Sequence, residues 1–517
     1  MAYSFVSFDR DQPFLMPPSL REWLPQDHLV WTILDCVHEM DLRAFYGAYR
    51  EDGHGRPAYE PSMMVALLLY AYARGNRSSR GIERECKEDV AYRVICANLV
   101  PDHSTIAQFR KRHEAALAEL FSSVLALCQE AGLVKIGVIA IDGTKIAANA
   151  SLQANRSYEQ IVREILKEAA ETDRIEDERH GDARGDELPE HLRTPEGRRR
   201  ALQQAKRKLG SDRGGIEPLT EAEDGGEGAG LDLDPERFTT RSGGRRNWLR
   251  EARQWLDEKR RVQQRPIGRS RGRRLEEGAR RLREDHAVEL EANAQYEAWH
   301  GRGVAADGSR RMGAGRVKPY RPPEEPTGTI NTTDHDSRIV RTRAQPVMQG
   351  YNAQAAVNER QIVIAAEVTV DSPDFGHLGP MVDATTTELE RAGVTELPGA
   401  VVADAGYWHT KQMEAIVGRG IQVLIPPDSG LRKGTRPGWN EGLYAFMRRV
   451  LATEQGTAIY RRRKSTVEPV FAQIKYNRRF DRFLRRGRAA VRSEWRLAAA
   501  THNLLKLHQY RTAVAGA

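Results

Sequence analysis

The chain has 517 residues, with 40% hydrophobic and 29% charged residues, and its 80 Lys+Arg against 72 Asp+Glu give a net charge of +8 and a pI near 9.2. That length implies about three or four folding units, large enough to bury cores without disulfide or metal staples, and the mild basic excess suits an anionic partner. Residues 1–9 have neither a basic start nor an apolar run, so no secretory leader is expected. The longest apolar stretch, Met63–Ala73, falls short of the ~20 residues that span a bilayer, so no membrane partner is expected. Cys36, Cys86, Cys96 and Cys128 form no C-x-x-C pair and read as buried thiols of a reducing, cytoplasmic setting.

Residues 1–130 read as helical. Pro61-Ser62 opens a helix to about Arg74 that Gly75-Asn76 closes. Ser78-Ser79 caps a second helix carrying Ile82 and Cys86, and a third covers Val90 to about Ala97. Ser104 is placed to cap a fourth, which carries Arg110, Lys111 and Arg112 within two turns. Short helices joined by tight turns, one of them basic, fit a helix-turn-helix DNA-binding unit with Arg110 and Arg112 as candidate DNA contacts.

Residues 131–151 change character. Val134–Ile141 is a strand dense in β-branched residues that Asp142-Gly143 is expected to end, with Thr144–Ala148 returning as a hairpin partner. Residues 152–330 read as a charged, helical, partly disordered insertion, with glycine breaks at Gly210, Gly214-Gly215, Gly225-Gly226 and Gly243-Gly244. Helical stripes recur at Tyr158/Ile161/Ile165/Ala169, at Trp248/Leu249/Ala252/Trp255/Leu256, and from about Leu275 to Trp299. Residues 331–517 return to strands at 338–343, 348–357 and 362–370, followed by a helix from about Leu378 to Arg391, a strand at Ala400–Ala403, a helix at about Thr410–Val417 and a strand at Ile421–Ile425. Three strands and then alternating helix and strand imply a mixed sheet, antiparallel first and parallel after.

Two aspartates hold matching places. Asp142 and Asp404 each follow an apolar strand and precede a glycine, Gly143 or Gly406. At the carboxyl ends of adjacent parallel strands they would stand about 5 Å apart. Repulsion at that distance is relieved by a divalent cation with a preference for oxygen ligands, Mg2+ or Mn2+. A third acid, Glu468, lies seven residues before Lys475, two helical turns and hence the same face. Pro469 places the start of that helix near Thr466. From Arg461 to Arg488 eleven Lys/Arg face only two acids, Glu468 and Asp481, with Tyr476, Phe480 and Phe483 interleaved. So one-sided a strip suits a phosphate backbone.

The segments Ile139–Lys145, Gln349–Gln354, Val401–Tyr407 and Val467–Lys475 together resemble bacterial insertion-sequence DDE transposases of the group with a Tyr–Arg–Glu–Lys signature, over about two-thirds of the chain. The resemblance implies an α/β ribonuclease-H-like core with a mixed sheet and flanking helices, an all-α N-terminal domain and a mainly helical insertion. It makes Asp142, Asp404 and Glu468 the catalytic, metal-binding triad for two Mg2+ or Mn2+ ions, and Lys475 the signature lysine. In this alignment the signature arginine falls on Lys464 and the tyrosine on Arg461, a departure from the pattern, with Tyr460 one place early. Lys475, Lys464, Arg463 and Arg461 are then candidate phosphate contacts. Tyr407 and Trp408, directly after the second aspartate, are candidates for stacking on an unpaired base.

The implied activity is cleavage and joining of double-stranded DNA at terminal inverted repeats by two-metal phosphoryl transfer, on a homodimer assembled on DNA. Two alternatives share the fold: a degenerate relative that binds DNA without cutting it, and another ribonuclease-H-like nuclease. The fourteen histidines show no H-x-x-x-H spacing and no G-x-x-x-x-G-K-[ST] is present, so neither zinc hydrolysis nor a nucleotide cofactor is expected.

Overall fold

A computed structural model describes residues 19–49, 57–180, 194–197, 199–200, 245–263, 268, 270–301, 323–341, 347–371, 373–428 and 441–515. The chain divides into two compact units. One comprises the residues up to Asn155 and from Thr333 onward, with Gln264–Ile267; the other comprises Arg156–Gln263 and Gly268–Thr332.

The first unit is built on a six-stranded mixed sheet: β1 (Val138–Ala147), β2 (Arg338–Val340), β3 (Met348–Asn358), β4 (Val363–Thr369), β5 (Ala400–Val402) and β6 (Gln422–Leu424). β3 is the hub. β1 runs antiparallel along one edge, and β2 and β4 share the other, also antiparallel. β5 joins the free edge of β1 in parallel, and β6 joins β5 in parallel. β3 is buried along almost its whole length, as a strand covered on both faces must be.

β1 departs from the expected hairpin. It continues through Asp142 and Gly143, because β3 pairs with it without a break from Ile139↔Asn358 to Ala147↔Gly350, so its backbone groups already have partners. A Cβ at Gly143 would come within 2.5 Å of Asp374 Oδ1 and Gln354 Nε2, so any larger residue there would displace those side chains.

Helices cover the sheet. Leu29–Glu39, Pro61–Ala73, Ser79–Glu88, Val90–Ile95, His103–Arg112 and Glu114–Glu130 precede it. Asp102, not Ser104, caps the fifth of these, accepting from the Ser104 and Thr105 amides at 2.9 Å each. The helix Arg488–Ala515 packs against Glu114–Glu130, Pro61–Ala73 and β4. One continuous apolar core therefore runs from Val30, Leu67 and Phe121 through Ile139 and Val357 to Trp495 and Leu507. Arg496, fully buried, joins these layers: Nε donates to Ala118 O at 2.8 Å, and Nη2 pairs with Glu388 Oε1 at 2.9 Å.

The second unit contains the helices Tyr158–His180, Arg245–Gln263 and Arg271–Gly301, each lying where a helical stripe is expected. Trp248, Ala252, Ala292 and Tyr296 form one small core, and Ile161, Leu275, Ala279, Leu282 and Ile330 another. The expected glycine breaks at Gly210 to Gly244, and the disorder expected with them, lie outside the described residues. Among the described residues no helix is long and apolar enough to cross a membrane.

Candidate active site

The register of β1 and β5 brings two of the three acids together. Val138, Ile139 and Ala140 pair with Ala400, Val401 and Val402, so Asp142 and Asp404 stand at equivalent positions two residues further along. Parallel pairing ends at Ala140 and the strands part there, leaving the two aspartates at the mouth of the split. Asp142 accepts from its neighbour's amide, Gly143 N, at 2.8 Å. Asp404 caps the short turn Ala405–Tyr407, accepting from Gly406 N at 2.8 Å.

The third acid arrives on a longer helix than expected. It runs over Glu454–Ala472, so Pro469 lies inside it rather than in its first turn. This helix packs on β1, β3 and β5. It is followed by a π-turn, Gln473–Asn477, that carries Lys475, and such turns recur at functional sites. Lys475 Nζ donates to Thr144 Oγ1 at 3.0 Å and to Lys145 O at 3.2 Å, beside Asp142. Burial pushes its pKa down, while Asp481 opposes the shift.

Arg463 links the acids. Its Nη1 donates to Asp142 Oδ2 at 2.8 Å, and its Nη2 lies 3.8 Å from Glu468 Oε1. One guanidinium reaches both, so Glu468 is on the same side of the sheet as Asp142. Burial raises the pKa of Tyr460, on which Arg463, Asp404 and Asp142 also act. The tyrosine and arginine facing the acids are thus Tyr460 and Arg463, each one residue before the aligned signature places. The aligned residues Arg461 and Lys464 are exposed on the other side of the turn. A helix of 3.6 residues per turn moves a side chain about 100° per residue, so a shift of one place decides which residue faces the sheet.

Asp142 has its carboxyl pushed up to about 6. Burial is the main cause, Asp404 and Asp374 add to it, and Arg463 and the Gly143 amide oppose it. Arg463 is held in its charged form: burial works against the charge, but Asp142, Tyr460, Asp404 and Glu468 outweigh it.

A fourth acid, Asp374, escaped the sequence reading. It is fixed by Asn352 Nδ2 at 2.8 Å, Gln354 Nε2 at 2.9 Å and Lys145 Nζ at 3.2 Å. The signal for it was the alternation of Asn352 and Gln354, which puts two amides on one face of β3. Gln354 also accepts the hydroxyl of Tyr407, tying the turn after Asp404 to the same cluster.

Several expected DNA contacts are turned inward. Arg110 is buried and donates from Nη1 to Arg77 O at 2.7 Å, besides bonding Ser79. It closes the turn between two helices and presents no charge to solvent. Tyr407 is fully buried, and Trp408 is buried against Tyr444, with ring centroids 4.8 Å apart. Neither offers a face to a base, because the residues after β5 fold back into the core. Phe480 and Phe483 are also buried, which leaves Tyr476, at 80% exposure, as the exposed ring of the basic strip. Arg112 remains exposed, with its guanidinium 5.2 Å from the Tyr49 ring.

As for a metal, among the described residues no group of three or more acidic, histidine or cysteine side chains is close enough to hold one as placed. The donor chemistry nevertheless fits a hard divalent cation, since Asp142, Asp404 and Glu468 all offer carboxylate oxygens. A cationic group, the Arg463 guanidinium, already stands among them.

Two segments of the chain match known families. Residues 18–112 match a transposase domain (DUF772), and residues 432–508 match a transposase DDE domain. No curated protein and no solved structure matches the chain.

Proposed function

From the premise that this chain is a DDE transposase of the insertion-sequence kind, and so an enzyme of the metal-dependent polynucleotidyl transferase and nuclease type, we propose that it binds the terminal inverted repeats of its element and cuts and rejoins their strands. The observation that carries this reading is the Arg463 guanidinium, which donates to Asp142 and lies 3.8 Å from Glu468, with Asp404 at the place on the neighbouring parallel strand equivalent to that of Asp142. The sheet supports it too: a central antiparallel trio flanked by two parallel strands is the order expected of a ribonuclease-H-like core.

In this reading Asp142, Asp404 and Glu468 hold two Mg2+ or Mn2+ ions. When bound, such ions activate the attacking oxygen and stabilise the leaving one. The chain's own side chains do the rest. Asp142 sits on rigid β-structure, so its oxygen is fixed before DNA arrives. Lys475, braced by Thr144, holds its ammonium at the rim for a phosphate. Arg461, Lys464, Arg479 and Arg482 carry exposed charge along the same stretch of chain, where binding should weaken steeply with salt. The N-terminal helices, with Arg112 exposed, are the proposed site of duplex recognition, and a homodimer on DNA is the proposed active form.

The test is nicking of a duplex carrying the element's own end. Wild type should nick it only with Mg2+ or Mn2+, and Asp404→Ala should bind that duplex yet leave it intact. Nicking by Asp404→Ala at the wild-type rate would remove Asp404 from the chemistry.

A further inference from the structure

The Arg463 guanidinium is not placed like a surface phosphate contact. Its side chain is only 11% exposed, whereas its neighbours Arg461, Arg462 and Lys464 are exposed on the same helix. It donates at 2.8 Å to Asp142 Oδ2 and lies 3.8 Å from Glu468 Oε1. Asp404 and Tyr460 also act on it. The other nearby cations are engaged elsewhere: Lys145 with Asp374, and Lys475 with Thr144 and the Lys145 carbonyl. A half-buried carboxylate, Asp142, and an exposed one, Glu468, share this one positive group, with the charge of Asp404 also acting on it, and carboxylates sharing a site repel unless something neutralises them.

We infer that Arg463 is the internal counter-cation of the metal-free site, and that its guanidinium must leave Asp142 before a divalent ion can be held there. This inference rests on the metal-binding reading of Asp142, Asp404 and Glu468. It has a physical consequence that a permanent phosphate contact would lack. Asp142 Oδ2 cannot serve both a guanidinium at hydrogen-bond distance and a metal in its inner sphere with full strength, so arginine and metal compete. The loser of that competition is a charged group on a helix face, released beside the basic strip with a phosphate as its nearest new partner. Metal entry and phosphate capture thereby become successive uses of one carboxylate and one arginine. Glu468, 55% exposed, is free to swing with the exchange.

The experiment uses the full chain without DNA and reads metal binding, not activity. Mn2+ is titrated calorimetrically into wild type, Arg463→Gln and Arg463→Lys, each checked for folding by circular dichroism. Removing a neighbouring positive charge is worth one or more pK units at a carboxylate, so Arg463→Gln should bind Mn2+ about tenfold more tightly than wild type. Arg463→Lys keeps the charge but cannot fork between two acids, and should fall between them. A structure of the wild type with Mn2+ should show the Arg463–Asp142 contact broken. Equal affinities in folded proteins, or Mn2+ bound with that contact intact, would overturn the inference and leave the metal reading standing. If neither wild type nor any Arg463 variant takes up Mn2+, the metal reading itself fails and the inference falls with it.

Discussion

The side-chain amide of Gln361 donates to the backbone carbonyl of Ser465 at 3.1 Å. In an unbroken helix that carbonyl would accept from the residue four places on, which is Pro469 and has no N–H. A turn residue between β3 and β4, held at φ +61°, therefore completes a helix 104 positions away, one turn before Glu468. The proline sits beside the third acid, at a cost to the helix that this one bond offsets only in part.

Replacing Pro469 with alanine restores the missing donor. We expect Pro469→Ala to stabilise the fold by about 1–3 kcal/mol in urea denaturation and to lower metal-dependent nicking, since the turn carrying Glu468 would then follow a regular path. A variant that is no more stable than wild type would show that the proline costs this helix nothing.

Asp142 gives a pH signature. Its carboxyl, raised to about 6 chiefly by burial, keeps in the fold a proton that the unfolded chain loses near its ordinary value. The resulting stabilisation is complete below pH ~4 and disappears as the pH rises through about 6. Between pH 5 and pH 8 wild type should lose about 1 kcal/mol relative to Asp142→Asn. Denaturation of both proteins at the two pH values measures this, and a gap independent of pH would contradict the proton uptake. Metal binding needs the ionised form and should weaken below pH 6.

Arg110 and Trp408 should behave as core residues. Arg110→Ala removes hydrogen bonds from a buried charged group, an expected loss of about 1.5–3 kcal/mol. Trp408→Ala opens a cavity against Tyr444, an expected loss of about 3–5 kcal/mol. In the folded fraction of either variant the salt dependence of DNA binding should match wild type. A shallower slope for Arg110→Ala would mean that its charge does reach phosphate.

Arg77 and Glu494 form a buried pair at 2.9 Å that holds the loop after the π-turn. Arg77 donates to Arg482 O at 2.7 Å and to Arg479 O at 3.1 Å, while Glu494 accepts from the Leu484 and Arg485 amides. Glu494→Ala strands a buried guanidinium, so we expect a loss of about 3–5 kcal/mol and faster hydrogen exchange at 484 and 485. Unchanged exchange there would show that the loop is held by other contacts.

Much of this arrangement was legible in the residues. The helix Leu378–Arg391 and the strands around Met348, Val363, Ala400 and Gln422 follow from apolar period alone. So does the placing of Asp142 and Asp404 at equivalent positions, because two apolar runs that each lead into Asp and lie side by side in parallel admit few other arrangements. What the residues hid was orientation. Pro469 read as a helix start because its backbone partner, Gln361, is remote in the chain. Arg463 and Lys464 are adjacent and equally basic, and only docking on the sheet tells them apart. Asp374 lies in a stretch without period, between β4 and the helix at Leu378, and Trp408 looked available only because Tyr444 is not near it in sequence.

The core that joins Val30 and Phe121 to Ile139 and Trp495 admits no seam between the early helices and the acids. On the proposed reading, whatever sequence those helices grip is held at a fixed reach from the carboxylates, like work clamped in a jig cast in one piece. An element end with one base pair inserted between its recognised bases and its cut would then present the wrong phosphate, about 34° out of phase and one step too far.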